Sequence, residues 1–145
     1  MEKNYKYDVF ISYYNEDRQI AKKLFEKMEA CGLDVFWSPK KLEKGEGFPT
    51  PLGKSVLSSQ HFALYWSSNT HKSKWVPEEA NMFYNQCHLP DKEHRRMYVY
   101  LDPKCKPEDL PPGHYRDLNR SNSPDALVND VVKHVLHGQA PFLSV

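Results

Sequence analysis

The sequence predicts a single α/β domain built as a doubly wound, five-stranded parallel sheet in the order 2-1-3-4-5. Three observations predict it. Short runs of β-branched and aromatic residues alternate with segments of helical apolar spacing, the pattern of strands joined by crossover helices. Right-handed crossovers place such helices on both faces of one sheet. The length of 145 residues supports one core.

Each element follows from its residues. Tyr7 to Ser12, YDVFIS, reads as a buried strand stopped by polar residues. Asn15 is the expected cap of the next helix, with Glu16 and Asp17 in its first turn. Ile20, Ala21, Leu24, Phe25 and Met28 recur at helical spacing, and Gly32 ends the run. Leu33 to Trp37 is the second strand. Ser38 to Phe48 carries Pro39, Gly45, Gly47 and several charges, and reads as a long loop. A short helix follows near Pro51 to Ser59, with Leu52, Val56 and Leu57 on one face. His61 to Ser67 is the third strand and Ser68 to Lys74 a link. Arg96 to Leu101 is the fourth strand, and the proline-bearing segment to residue 117 is irregular, with a short last strand near Leu118. Ser123-Pro124-Asp125 opens a final helix through Leu127, Val128, Val131, Val132 and Val135. This divides the chain into a domain over 1–137 and a tail over 138–145, in a flavodoxin-like arrangement.

Composition removes several classes of function. A formal net charge of +1 gives no global field for nucleic acid or a membrane surface. No apolar run approaches the ~20 residues of a membrane span, and the first residues do not lead into a signal-peptide core. Cys31, Cys87 and Cys105 lack Cys-x-x-Cys spacing and read as reduced thiols of a cytoplasmic protein. His134 and His137 stand at i, i+3, but Asp130 alone does not complete a metal set. No metal site is expected.

The helix beginning SKWVPEEANMF holds the main chemical signal. Ser73 is its expected N-cap, and Pro77 comes early enough to cost little. With Trp75 at zero on a helical wheel, Val76 falls near ~100°, Phe83 near ~80° and Ala80 near ~140°, while Glu79 falls near ~40°, within the apolar arc. Glu78 falls near ~300°, beside Asn81 and Asn85. One of two adjacent carboxylates is therefore aimed inward. In doubly wound sheets ligands bind outside the carboxyl ends of strands, where the winding switches. That point lies between strands one and three, beside Tyr13, Tyr14 and the start of this helix.

Three boxes carry a resemblance to the Toll/interleukin-1 receptor (TIR) domain, from residue 5 to about 137. They are YDVFISY at residues 7–13, LEKGE at 42–46, and Ser67-Ser68-Asn69 through Trp75-x-x-x-Glu79. Family members often carry an aspartate after the strand-two tryptophan, where this chain has Ser38 after Trp37. The resemblance is to the NAD-cleaving prokaryotic type, and implies a glycohydrolase or cyclase that breaks the nicotinamide–ribose bond with NAD+ as substrate and no cofactor. Glu79 matches the catalytic glutamate. Ser12, Tyr13, Tyr14, Trp37, Lys40, Phe48 and Trp75 are the candidate substrate contacts, with Trp75, Tyr13, Tyr14 or Phe48 as stacking platforms and Lys40 toward the pyrophosphate. The implied partners are other TIR domains, through self-association, and a fused or separate sensor or oligomerising domain in immune or antiphage defence signalling.

Plainer readings compete. Glu79 can be a buried carboxylate paired with Lys or Arg, Trp75 can be core, and Ser12 can satisfy the strand end. The whole domain can be an adaptor acting only through TIR–TIR contacts. A nucleoside deoxyribosyltransferase shares a related fold and a glutamate nucleophile, but the three boxes argue against it.

Overall fold

The computed structural model describes residues 5–37, 50–73, 75–87, 95–110 and 119–139. Strands β1 (Tyr7–Ser12), β2 (Val35–Phe36), β3 (Ser59–Trp66), β4 (Met97–Leu101) and β5 (Asn119–Ser121) form one sheet in the order β2-β1-β3-β4-β5. Every pairing is parallel, with Val9 opposite Val35 and His61, and Ala63 opposite Tyr98. The order and direction are those the sequence predicts. The second strand is shorter than Leu33–Trp37, and the third begins two residues before His61.

Helices α1 (Arg18–Ala30), α2 (Thr50–Leu57), α3 (Trp75–Cys87) and α4 (Pro124–Gln139) cover the two faces. Alternation along β1 and β3 divides the core. Val9, Ile11, Tyr13, Ala63 and Tyr65 pack with α1 and α4, through Leu24, Met28, Leu127 and Val131. Phe10, Phe62, Leu64 and Trp66 pack with α2 and α3, through Val56, Val76, Ala80 and Phe83. Such two-sided burial is why these strands read as continuous apolar runs.

The helix ends show where local chemistry was legible. Gly32 adopts a φ of 89°. The amides of Gly32 and Leu33 return to the carbonyls of Glu29 and Met28, closing a Schellman turn that glycine enters without Cβ strain. Ser73 and Ser123 cap α3 and α4, their hydroxyls accepting from the amides of Val76 and Ala126 at 3.0 and 3.1 Å. Asn15 does not cap α1. It begins a 3-10 turn, Asn15–Asp17, whose amide at Asp17 donates to the Tyr14 carbonyl, and its side chain makes no capping bond. Leu57 also departs from expectation. Val56 is buried, but Leu57 lies at the last position of α2 and is 43% exposed. The Ser38–Phe48 loop lies outside the described residues, and α4 runs through Gln139.

Candidate active site

The site is built where β1 and β3 end. The period of two along β1 turns Phe10 and Ser12 toward α3. On α3, Val76, Ala80 and Phe83 are buried while Glu78, Asn81 and Asn85 are exposed, so the arc that carries the apolar residues also carries Glu79. Glu79 is 0% exposed, as is Ser12. The Ser12 hydroxyl donates to Glu79 Oε1 at 2.6 Å, across a separation of 67 residues. A short hydroxyl–carboxylate bond in a low-dielectric setting is a strong one, and it fixes the carboxylate at the carboxyl end of β1.

Tyr13 continues the alternation of Val9 and Ile11 and is fully buried on the opposite face. Burial pushes its hydroxyl up to about 12, and the nearby Glu79 carboxylate adds to that push, while the Arg18 guanidinium and the Trp37 indole oppose it. The phenol therefore stays protonated at ordinary pH. Trp37 is half-buried and stacks on Phe25 of α1, with ring centroids 5.4 Å apart. Its indole N–H is directed toward the Tyr13 hydroxyl, but reaches no described acceptor in strict hydrogen-bond geometry.

A second polar group spans the same strand ends. The Ser67 hydroxyl, just after β3, donates to Asp17 Oδ2 at 2.6 Å and accepts from the Asn69 amide at 3.1 Å. The Ser67 amide donates to Thr70 Oγ1 at 2.7 Å, and Thr70 is fully buried. Burial raises the Asp17 carboxyl above its ordinary range; the Ser67 hydrogen bond works against this, while Asp102 and Glu16 add to it. Next to it, the Tyr65 hydroxyl donates to Asp102 Oδ2 at 2.7 Å. Burial and that acceptor both push the Tyr65 hydroxyl upward.

The expected site residues thus separate into groups. Ser12 and Glu79 meet on the α3 face at the end of β1, whereas Tyr13 and Trp37 lie on the opposite face, packed with α1. Tyr14 is half-buried and precedes the 3-10 turn. Lys40 and Phe48 lie outside the described residues, and Trp75 opens α3 with its side chain outside them. Sequence reasoning missed the hydrogen-bonded group of Asp17, Ser67 and Thr70 and the Tyr65–Asp102 pair next to it. Ser67 did stand in the third box, but its partner is 50 residues away. Among the described residues no three His, Cys, Asp or Glu side chains cluster as metal ligands. His134 instead meets the Tyr98 hydroxyl through Nδ1. No described helix is long and apolar enough to cross a membrane.

Comparison with known proteins agrees with the fold. A family model described as TIR domain matches residues 9–132. TMV resistance protein N of Nicotiana glutinosa is 33% identical over 75 residues, which is 50% of this chain and 7% of that protein. The probable 2' cyclic ADP-D-ribose synthase TcpO of Methanobrevibacter olleyae is 27% identical over 74 residues, again 50% of this chain and 22% of that protein. The chain therefore spans under a quarter of the length of either relative. Among solved structures, a metazoan TIR-STING receptor from C. gigas gives a TM-score of 0.68 at 20% identity, covering 93% of this chain and 42% of that one. The TIR domains of the activated Roq1 resistosome give 0.59 at 22% identity, covering 94% and 76%. At these identities the structural likeness is one of fold.

Proposed function

The chain belongs to the TIR domain family, and from that premise we propose that it cleaves NAD+ at the nicotinamide–ribose bond, with Glu79 as the catalytic carboxylate. The observation that carries this is the Ser12–Glu79 hydrogen bond, fully buried at the topological switch point of the sheet. A glutamate packed among Val76, Ala80 and Phe83 carries a desolvation cost that an apolar side chain would not.

The chemistry needs one carboxylate. Glycoside hydrolases generally pair an acid with a nucleophile or base, because the leaving oxygen must be protonated. Nicotinamide leaves NAD+ from a ring nitrogen that is already positive and departs neutral, so no acid is required. What remains is to orient the ribose and to place negative charge beside the developing oxocarbenium ion. Glu79 does the second, and Ser12 holds its plane until a ribose hydroxyl replaces that bond. Water as acceptor gives ADP-ribose, and a hydroxyl of the same molecule gives a cyclic product. NAD+ is the substrate and the proposal assigns no cofactor.

The likeness to a probable cyclic ADP-D-ribose synthase supports this reading. The likeness to a resistance protein and to resistosome TIR domains supports a role in immune signalling through association with other TIR domains. The test is nicotinamide release from NAD+ by the wild type, Glu79→Gln and Glu78→Gln, each held assembled on an oligomeric fusion. Release by the wild type and Glu78→Gln but not by Glu79→Gln is the expected result. A folded, assembled wild type that releases none would mean the domain works through TIR–TIR contact alone.

A further inference from the structure

The crevice between the β1 and β3 exits is bridged twice. Ser12–Glu79 spans it on the α3 side, and Asp17–Ser67 spans it at the loops. The second bridge has an unusual set of attachments. Asp17 ends the 3-10 turn whose amide is bonded back to the Tyr14 carbonyl, so it moves with the segment carrying Tyr13 and Tyr14. Ser67 accepts from the Asn69 amide and is bonded through its own amide to Thr70. Thr70 opens the 3-10 turn that leads to Ser73, the cap of α3, and α3 carries Glu79. One hydrogen bond therefore ties the tyrosine-bearing side of the crevice to the glutamate-bearing side.

We propose that Asp17 and Ser67 are positioning residues for the Glu79 site, their hydrogen bond setting the gap between the two strand exits through which substrate reaches the carboxylate. This rests on the NAD+ reading for its substrate. The carboxylate is also the costlier choice at this position. Burial opposes its ionisation, and so do the charges of Asp102 and Glu16. An amide would accept from Ser67 without meeting either. Neither residue need touch the scissile bond; both act through the loops they hold.

The experiment compares Asp17→Ala, Asp17→Asn, Ser67→Ala and the Asp17→Ala/Ser67→Ala double variant. A hydrogen bond to a charged group accounts for about a tenfold or greater change in an equilibrium. Asp17→Ala and Ser67→Ala should therefore raise KM for NAD+ by about tenfold with kcat changed far less. The double variant should be no worse than either single one, and Asp17→Asn, which keeps an acceptor, should hold a KM close to wild type. Equal losses of kcat that track thermal stability, additive effects in the double variant, or Asp17→Asn behaving like Asp17→Ala would each overturn the proposal. Amide hydrogen exchange separates this outcome from failure of the NAD+ reading. Without substrate, both alanine variants should exchange about tenfold faster at residues 12–17 and 67–73, and Asp17→Asn should not. If the wild type releases no nicotinamide, the NAD+ reading falls and exchange alone judges the tie; unchanged exchange in Asp17→Ala removes it.

Discussion

Ser12 and Glu79 meet through a 2.6 Å hydrogen bond, with both side chains withdrawn from solvent. The bond joins the last residue of β1 to the second turn of α3, so its geometry is fixed by rigid elements on both sides. That arrangement suits a group whose orientation matters. It also means that NAD+ cannot meet Glu79 in this conformation without displacing Ser12 or parting the crevice.

Replacement of Glu79 by Gln should remove NAD+ cleavage, by about a hundredfold or more, with the fold retained, since an amide keeps an acceptor for Ser12 and carries no buried charge. Ser12→Ala is the subtler variant. It removes one hydrogen-bond donor from a buried carboxylate and should lower stability by about 1–3 kcal/mol. Nicotinamide release and urea unfolding check the pair, with exposed Glu78→Gln as the internal control. Equal loss of activity in Glu78→Gln would contradict the inward aim of Glu79.

Much of this was legible in the sequence because it follows local periodicity. The apolar arc of α3 and the outward position of Glu78 follow from a turn of ~100° per residue, and burial of Val76, Ala80 and Phe83 agrees. What local rules miss is tertiary. Asn15 has the residue type of a cap, but the chain uses a 3-10 turn there because Asp17 is drawn to Ser67 across the crevice. Tyr13 reads as a loop tyrosine, yet it extends the inward alternation of Val9 and Ile11. Leu57 shares a helical face with Val56 only if α2 continues, and α2 stops there. A partner 50 residues distant leaves no mark on a window of ten.

Arg95 should matter for stability and not for chemistry. Its guanidinium is 4% exposed and donates to the carbonyls of Val56, Leu57, Ser59 and Gln60 at the end of α2 and the start of β3. It also lies over the rings of Phe83 and Tyr5, at 4.5 and 5.1 Å. Arg95→Met should cost about 2–5 kcal/mol, because it orphans several buried carbonyls at once. Arg95→Lys should recover only part, since an ammonium lacks the planar fork. Denaturant midpoints check this, while turnover per folded molecule should stay unchanged.

Asp17 predicts a pH signature. Its folded carboxyl titrates above its ordinary range, from burial first and then from Asp102 and Glu16, with Ser67 opposing. A raised carboxyl means that the ionised form is the less favoured one in the folded state. Its cost to stability is therefore present above the folded pKa and disappears as pH falls through that value toward the unfolded one. Asp17→Asn should be more stable than wild type at pH 7, with the difference closing on acidification toward pH 4. Thermal unfolding across that range checks it; a gap that widens on acidification would contradict the assigned environment.

If Glu79 carries out the proposed NAD+ cleavage, its burial should make activity depend on assembly. A carboxylate at 0% exposure reacts only in the fraction of chains whose strand exits have parted. Raising that fraction from rare to dominant takes about 5.5 kcal/mol of differential binding. Substrate bound to the open form would supply part of this, and a second TIR domain packed against the same form would add the binding energy of a protein interface. The lone chain in dilute solution should accordingly be a weakly active monomer, and specific activity should climb steeply with protein concentration, crowding or fusion to an oligomerising partner. Turnover per chain measured from nanomolar to high micromolar protein, beside the mass distribution in solution, decides the matter. A flat turnover with monomer throughout would show that the crevice opens without help from a neighbour.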